Sequence, residues 1–391
     1  MKRNVFLLAF AQAMMMTGNS LIVATSSLVG FLLAEDKSLA TIPLALQFLA
    51  TMLSSIPASF IMQRIGRRNG FVLGLLLGGL GAATAVAAIL GQDFWLFCVA
   101  TLLVGMFNGF GIYYRFAAAD VASETYKARA ISYVMAGGVV AAFIGPNLAN
   151  WTNGIMGTPE FAGSYAALLG IYALSLIALF FLDIPRPGAQ VIHAHGRPLR
   201  AIASQPAFVV AVLAGMLGYG IMVLVMTATP LAMKGHAHSF SDTAFVIQWH
   251  VFGMFAPSFF TGALIQRFGV LNVLLWGALL NLACVGINFL GTDVWHFWLA
   301  LFLLGVGWNF LFVGATSLLT ETYTEVEKAK TQALNDFIVF TTVTVASLSA
   351  GWLQHHYGWQ AVNAGVLPSI LVILMAVLWL RLRRVPVPAT G

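Results

Sequence analysis

Four side chains in the second half of the sequence could bind a soft metal ion. Met222 and Met226 are four residues apart, and so are His250 and Met254, so the members of each pair lie on one face of a helix. Thioethers select Cu(I), and imidazole also binds copper, whereas zinc and calcium sites would use thiolates or carboxylates. Neutral ligands can hold a monovalent cation and still release it. The pattern therefore predicts a copper site in which copper is the cargo and no resident cofactor is needed.

The same residues also have a purely structural interpretation. Methionine is common packing material in membrane helices, and the ring of His250 could simply form a hydrogen bond between two helices. An internal repeat, described below, aligns His250 with Gln47 and Met222 with Asn19. The candidate ligands are therefore not part of the repeated scaffold.

Three weaker candidates, Met233, His236 and His238, fall in the loop between the two helices that carry the four residues. These three residues could collect copper before it enters the protein. The other interpretation is that they are ordinary surface residues of a loop. No Asp or Glu falls in the middle of a predicted span, and no catalytic triad, phosphate loop or HExxH pattern occurs. The sequence therefore predicts no catalytic residue and no enzymatic activity.

The composition indicates a membrane protein. Of the 391 residues, 60% are hydrophobic and only 8% are charged, against about 25% charged in soluble proteins. This excludes a soluble enzyme, a disordered chain and a nucleic-acid-binding protein. Because a bilayer core requires roughly 20 apolar residues per helix, the apolar runs predict twelve spans. They lie near residues 5–33, 40–62, 70–91, 94–116, 130–151, 163–183, 206–230, 242–265, 270–291, 295–318, 334–354 and 360–381.

The basic residues predict the orientation. With an even number of spans both termini lie on one side of the membrane, and of the 19 Lys and Arg only Lys37 and Lys234 fall on the other side. By the positive-inside rule the termini are cytoplasmic. The net charge of +6 is thereby explained without a nucleic-acid partner.

The second half of the chain repeats features of the first. The motif Gln-Arg-x-Gly ends at Gly66 after the second span and at Gly269 after the eighth, and Asn108 in the fourth span aligns with Asn309 in the tenth. Such repeats are typical of carriers that work by alternating access. We expect two six-helix lobes joined by a cytoplasmic linker. Their predicted bounds are 1–183 for the first lobe, 184–205 for the linker and 206–391 for the second lobe.

The stretch from Ser59 to Arg68 resembles the G-x-x-x-D-R-x-G-R-R signature of the major facilitator superfamily, with Ser59 in place of the glycine and Gln63 in place of the aspartate. Gly145-Pro146 is similar to that family's glycine–proline packing motif. The resemblance extends over essentially the whole chain. It implies an all-α integral membrane protein with twelve transmembrane helices in two six-helix pseudo-repeats, the major facilitator fold.

The four candidate ligands carry a narrower resemblance. Met-xxx-Met in the seventh helix followed by His-xxx-Met in the eighth resembles the motif pair of the CcoA-like copper importers, a bacterial branch of that superfamily. The resemblance implies import of copper, as Cu(I), across the bacterial inner membrane for cytochrome oxidase assembly. The implied partners are the copper ion, the lipid bilayer and a copper chaperone.

Two other functions stay open at this point. The same branch includes proteins labelled as riboflavin transporters, so a carrier of a small organic molecule such as riboflavin, or a drug exporter, is the alternative. It would use the 30 Phe, 10 Trp and 9 Tyr as stacking surface. The second function that stays open is that of a copper sensor, which would bind the ion without transporting it.

Overall fold

The computed structural model describes residues 2–123, 127–157, 159–184, 196–324 and 326–384, and every regular element within these ranges is a helix. A short 3-10 helix, Lys37–Leu39, lies between the first two α-helices. Most of the predicted linker, residues 185–195, lies outside the described ranges. The α-helices are α1 (Lys2–Leu33), α2 (Ile42–Ile65), α3 (Arg67–Leu90), α4 (Phe94–Gly111), α5 (Tyr114–Asp120), α6 (Lys127–Thr152), α7 (Ala162–Phe180), α8 (Leu199–Ala203), α9 (Pro206–Gly235), α10 (Phe240–Phe255), α11 (Ser258–Phe268), α12 (Val270–Leu290), α13 (Val294–Thr320) and α14 (Lys328–Arg383).

In the described part of the chain, nine helical segments are long and apolar enough to cross a membrane. The longest, Lys330–Arg383, is interrupted by the non-helical backbone of Gly358 and covers both the eleventh and the twelfth predicted spans. The predicted eighth span, 242–265, is divided into α10 and α11. Pro257 stands between them, because proline has no amide hydrogen to continue a helix. The nine segments become twelve if α14 is counted as two spans and if α6 and the α10–α11 pair are each counted as one more. The number of twelve spans therefore stays a prediction.

The repeated Gln-Arg-x-Gly motif has the same backbone conformation in both halves. Gly66, between α2 and α3, has φ 89 and ψ 153, and Gly269, between α11 and α12, has φ 84 and ψ 148. This region of the Ramachandran plot is open almost only to glycine. The repeat seen in the sequence therefore corresponds to a repeated tight connection at the predicted cytoplasmic side.

Buried side chains form two large hydrophobic clusters. One is drawn from residues 5–182 and the other almost entirely from residues 202–380. We call the corresponding parts of the molecule the N-terminal lobe and the C-terminal lobe.

The aligned helices of the two lobes pack in the same way. A Cβ atom added to Gly105 of α4 would lie 2.3 Å from the Gln47 carbonyl oxygen of α2, and one added to Gly305 of α13 would lie 2.4 Å from the His250 carbonyl oxygen of α10. Glycine at these positions lets the helix backbones touch. Gln47 and His250 therefore occupy equivalent places, as their alignment in the sequence predicts.

The lobes contact each other at the predicted outer side of the membrane. The Ser27 hydroxyl of α1 donates to the Thr227 carbonyl oxygen of α9 at 3.2 Å. The Gly351 amide of α14 donates to the Thr41 hydroxyl at 3.1 Å. The structure therefore shows the outer ends of the two lobes closed against each other.

Candidate functional site

His250 is fully buried where α10 packs against α13. Its Nδ1 lies 2.8 Å from the Leu301 carbonyl oxygen, and because a carbonyl can only accept, Nδ1 carries the proton. Nε2 is also buried and has no hydrogen-bond partner among the described residues. Histidines that bind metals usually donate their other ring N–H to a carbonyl or carboxylate in this way. The ring therefore forms the helix-bridging hydrogen bond and still has a free lone pair.

The three methionines of the predicted copper set are all buried. Met222 and Met226 on α9 and Met254 on α10 belong to the same hydrophobic cluster of the C-terminal lobe. Helix α13 packs against both α9 and α10. The Met254 carbonyl oxygen accepts a hydrogen bond from Asn309 Nδ2 of α13 at 2.7 Å. The structure thus places the four predicted ligands in one lobe, on two helices that both pack against α13.

The three weaker candidates lie at the outer end of α9, but in different environments. Met233 is not in the predicted loop, because α9 continues to Gly235 and buries it completely. His236 is exposed and His238 is half-buried. The Nε2 atom of His238 contacts the Thr292 carbonyl oxygen at 2.6 Å. Their use as a copper-collecting patch stays a prediction.

A metal site in the described ranges would depend on methionine. No group of three His, Cys, Asp or Glu side chains that could hold a metal ion is found among these residues. Cys98 and Cys284 are both buried as free thiols, one in each lobe. Any site at His250 would therefore be the neutral thioether–imidazole kind that the sequence predicts.

Three amide side chains, two of them buried and one half-buried, form a group at the equivalent place in the N-terminal lobe. Asn19 Oδ1 of α1 accepts from Gln47 Nε2 of α2 at 3.0 Å and from Asn108 Nδ2 of α4 at 2.9 Å. Gln47 Oε1 and Asn108 Oδ1 are buried without a hydrogen-bond partner in the part of the chain described. We call Asn19, Gln47 and Asn108 the amide cluster.

The sequence analysis did not identify the amide cluster as a site. Asn19 and Gln47 entered it only as the residues aligned with Met222 and His250, and Asn108 only as a marker of the repeat. The signal was nevertheless present, because all three are polar residues within apolar spans and two of them align with candidate ligands. Polar groups at membrane depth are costly and mark functional sites.

Aromatic rings line the corresponding part of the C-terminal lobe. The rings of Trp308 and Phe312 on α13 are stacked, with centroids 5.0 Å apart and an interplanar angle of 11°. The ring of Tyr219 on α9 meets the Trp308 ring edge-on, with centroids 5.2 Å apart. The centroid of the Phe340 ring lies 6.4 Å from that of Tyr219. The centroid of the Phe255 ring lies 6.3 Å from that of Trp308. Trp308 Nε1 is buried and has no partner within the described ranges. We call these five residues the aromatic cluster.

Both clusters border the interface between the lobes. Val23, one helical turn beyond Asn19, and Phe48, next to Gln47, pack against the hydrophobic clusters of both lobes. From the other side, Phe255 approaches Gly138 of α6 so closely that an added Cβ would lie 2.8 Å from its ring. Carriers with two repeated lobes bind their cargo at such an interface near the middle of the membrane.

The clusters also lie at matching depths. Trp308 precedes Asn309, and the repeat aligns Asn309 with Asn108 of the amide cluster. The two clusters therefore give the lobe interface an amide side and an aromatic side, and neither cluster contains a charged side chain. Such a surface suits a planar, neutral molecule that carries hydrogen-bonding groups along one edge.

Comparison with known proteins identifies the family. The family model described as Major Facilitator Superfamily matches residues 8–248 and 221–391. The chain belongs to the major facilitator superfamily. The riboflavin transporter RfnT from Brucella anthropi is 44% identical over 384 residues, which cover 98% of this chain and 96% of that protein. The predicted superfamily and the predicted transport function are thereby confirmed.

More distant relatives agree with this assignment. YdeG from Bacillus subtilis, an uncharacterised transporter of the major facilitator type, is 28% identical, with 97% of this chain and 92% of that protein covered. The structure of the human organic anion transporter MFSD10 matches with a TM-score of 0.68 at 14% identity, covering 96% of this chain and 99% of that one. This second likeness confirms the all-helical major facilitator fold.

The narrower resemblance to copper importers gains no support from these relatives. The curated relative at 44% identity is named for riboflavin, and the others are named for organic anions or carry no substrate in their names. The copper-binding set is therefore a prediction from its residues alone. The sequence also predicts a multi-pass membrane protein that transports its substrate and is not an enzyme. Membership of the major facilitator superfamily agrees with both predictions.

Proposed function

We propose that this protein carries riboflavin, or a molecule with the same flat flavin ring, across the bacterial inner membrane. The observation that carries the proposal is the 44% identity to a riboflavin transporter over nearly the full length of both chains. The uneven distribution of Lys and Arg supports an orientation with both termini in the cytoplasm. The sequence predicts copper first and riboflavin as the alternative, and the identity to a riboflavin transporter favours the alternative.

The lobe interface supports this substrate class. Riboflavin has a neutral tricyclic ring and a hydroxylated side chain, and the amide and aromatic clusters are both neutral. Aromatic pairs contribute about 0.5–1.5 kcal/mol each beyond the burial of their area, so the stacked rings of Trp308 and Phe312 offer a surface on which the flavin ring can bind. A charged substrate would instead require a buried countercharge.

Riboflavin accumulation tests the proposal. Cells that require external riboflavin and have no other flavin importer should accumulate it, and grow at low concentration, when they produce this protein. Trp308→Leu should raise the KM of uptake roughly tenfold, because the stacking contact that the indole offers the flavin ring is lost. Trp295→Leu is the matched control, since Trp295 lies near the outer end of the same helix, is 63% exposed, and stacks on Trp298 outside the aromatic cluster. Accumulation no greater than in cells without the protein would disprove the proposal.

Copper is a second candidate because His250 Nε2 is buried without a hydrogen-bond partner among the described residues, in a lobe that also buries Met222, Met226 and Met254. The Nδ1–H bond to the Leu301 carbonyl oxygen fixes the tautomer in which Nε2 could bind Cu(I). Met222, Met226 and Met254 would supply the thioethers.

Copper and flavin transport can be separated in one set of cells. Radioactive copper and riboflavin should be measured in parallel for the unaltered protein and for a variant with alanine at Met222, Met226, His250 and Met254, in equal membrane amounts. If the flavin proposal is right and copper is not a cargo, the unaltered protein accumulates riboflavin but no copper. Copper uptake that disappears in the variant would establish the second candidate.

A further inference from the structure

A cavity of about 340 Å³ lies between the outer ends of the two lobes. The N-terminal lobe contributes Phe31 of α1 and Lys37 to its wall, and the C-terminal lobe contributes Lys234 at the end of α9. Gly351 of α14, whose amide donates to the Thr41 hydroxyl of the other lobe, is also part of the wall. The cavity therefore adjoins the contacts that close the outer side of the protein. We call it the outer cavity.

The charged side chains on the wall of the outer cavity are both lysines. Lys37 and Lys234 are the two basic residues that the charge distribution places on the outer side of the membrane, and the structure brings both to this one cavity. None of the described residues that line it is an Asp or a Glu. The carboxylate of the neighbouring Asp36 accepts instead from the Ser38 amide at 2.9 Å. The wall therefore carries positive charge that no carboxylate on the wall balances.

The two ammonium groups approach one aromatic ring from different lobes. Lys37 Nζ lies 5.1 Å and Lys234 Nζ 4.8 Å from the centroid of the Phe31 ring. Lys37 Nζ also donates to the Phe31 and Ala34 carbonyl oxygens at 2.7 Å each, which fixes its position. Lys234 is exposed, and its ammonium has no hydrogen bond or ion pair within the described ranges. Like charges repel, so an anion beside both would stabilise the closed arrangement.

Two further side chains on the wall can donate to an anion. Gln354 Oε1 is buried and has no hydrogen-bond partner in the part of the chain described, although the residue lines the outer cavity. Most buried polar atoms are hydrogen-bonded, and a half-turn of the amide places its nitrogen, a donor, where the oxygen stands. His355 is exposed on the same wall and has a ring N–H. Both residues lie on α14, on the C-terminal side of the cavity.

We propose that the outer cavity binds a phosphate group, with Lys37 and Lys234 as its countercharges, and that the bound group holds the outer ends of the lobes together. A phosphate group carries nearly two negative charges at neutral pH and accepts several hydrogen bonds, which suits two ammonium groups and two neutral donors. Because the lysines come from different lobes, the group reaches both only while the outer ends are closed. Its binding therefore favours that state. This inference goes beyond the proposed function and does not depend on the substrate.

The reactivity of an introduced cysteine tests the proposal. Ser27 is buried where its hydroxyl donates to the Thr227 carbonyl oxygen across the lobe contact, so in Ser27→Cys a membrane-impermeant maleimide reacts from outside only when the outer ends open. Inorganic phosphate, at constant pH and ionic strength, should slow this labelling about fivefold, the lower end of ordinary coupling between two sites. Lys234→Gln in the same background should remove the effect, and Lys234→Arg should keep it. Labelling that phosphate leaves unchanged, or slows equally in Lys234→Gln, would overturn the proposal.

Two matched controls separate the cavity from general effects of phosphate. Gly154→Cys places the thiol at an exposed position between α6 and α7, where an added Cβ meets no atom within 4 Å, so phosphate should not change its labelling rate. Arg383→Gln also removes a positive charge beside an aromatic ring, 4.4 Å from the centroid of Trp379, but near the other end of α14. In the Ser27→Cys background it should leave the effect of phosphate intact.

Reconstitution identifies the source of the phosphate group. If the ligand is a dissolved anion, inorganic phosphate should slow labelling of Ser27→Cys in vesicles of phosphatidylcholine alone. If it is a lipid headgroup, vesicles that contain phosphatidylglycerol should slow labelling without added phosphate, and Lys234→Gln should restore the rate. Labelling that neither source slows would mean that the outer cavity binds no phosphate group. Uptake is not measured in these experiments, so their outcome is independent of whether the protein carries riboflavin.

Discussion

The two ring nitrogens of His250 differ in their bonding, so a role in packing and a role in transport can be tested separately. Nδ1 is occupied by the Leu301 carbonyl oxygen, whereas Nε2 has no partner among the described residues. A substitution that keeps a donor for Leu301 but removes the imidazole therefore tests the two roles independently. Glutamine is the natural choice, because Gln47 occupies the equivalent place in the N-terminal lobe.

We expect His250→Ala to lower the stability of the purified protein by about 1–3 kcal/mol, since a buried hydrogen bond is lost and a cavity is left. His250→Gln should recover part of that loss and retain riboflavin uptake. Thermal unfolding in detergent, with uptake measured in parallel, provides both readouts. An alanine variant as stable as the unaltered protein would show that the bond to Leu301 contributes nothing.

A second buried polar residue fastens the end of the linker to the start of α14. The carboxylate of Glu327 is 2% exposed and accepts from the Arg197 backbone amide at 2.7 Å and from Arg197 Nε and Nη2 at 2.8 Å each. The Arg197 guanidinium lowers the pKa of Glu327 well below its usual range, and Glu327 in turn raises the pKa of Arg197.

This pair predicts a loss of stability in acid. Because the folded pKa of Glu327 is depressed, its contribution is complete above the ordinary carboxyl pKa of about 4.3 and declines as the pH falls below that value toward the folded pKa. Glu327→Gln should melt at a lower temperature than the unaltered protein at pH 7 and show a smaller decrease between about pH 5 and pH 3. Glu321→Gln is the control, since Glu321 pairs with Arg384 at 2.7 Å with both side chains largely exposed, and exposed pairs contribute little. Equal acid slopes for the Glu327 variant and the unaltered protein would contradict the prediction.

At the scale of the helices, close contacts between aligned pairs carry the architecture. The contact of α13 with α10 depends on Gly305, as the contact of α4 with α2 depends on Gly105. These glycines have no turn or left-handed backbone to adopt, and their role is to let two helices approach.

Gly305→Ala should push α13 away from α10 and lower both the melting temperature and riboflavin uptake, because its Cβ would lie 2.4 Å from a backbone oxygen that cannot move alone. Gly286→Ala on α12 is the matched control. No atom lies within 4 Å of its added Cβ, so the better helix propensity of alanine, about 1 kcal/mol, should leave the protein equally or more stable. A Gly305 variant that melts no lower than the control would refute this role of the contact.

The helices themselves were predictable from the sequence, because long apolar runs have few alternatives in a bilayer. The division of the eighth span into α10 and α11 was not predicted, although Pro257 is visible in the sequence, because a hydropathy count does not register a break in a helix. The amide cluster was missed for a different reason. Its meaning depends on three residues from α1, α2 and α4 meeting in space, and no local pattern reports such a meeting. The cargo is subject to the same limit, since helical spacing identifies shared faces but does not distinguish copper from riboflavin.

At the scale of the whole molecule, the contacts between the lobes at the outer side define one end of a transport cycle. The Thr41 hydroxyl lies 3.1 Å from the Gly351 amide, and an added Cβ on Gly351 would lie 2.7 Å from Thr41 Oγ1. These two positions are close only while the outer ends of the lobes are closed.

A disulfide between cysteines introduced at Thr41 and Gly351 should therefore stop uptake, and a reductant should restore it, because the outer entrance must open once in each cycle. Each single variant serves as the control and should respond to neither oxidant nor reductant. The native Cys98 and Cys284 are buried and should not interfere. Unchanged uptake in the cross-linked double variant would mean that the outer contacts do not open during transport.

The two lobes repeat one scaffold but differ at equivalent positions, with amides on one side of the interface and aromatic and thioether groups on the other. A flat molecule between two identical walls could be loaded in either of two opposite orientations. Two unlike walls instead favour one orientation of a molecule whose two ends differ. The divergence of the two halves thus gives the lobe interface a direction of its own, from the N-terminal lobe to the C-terminal lobe.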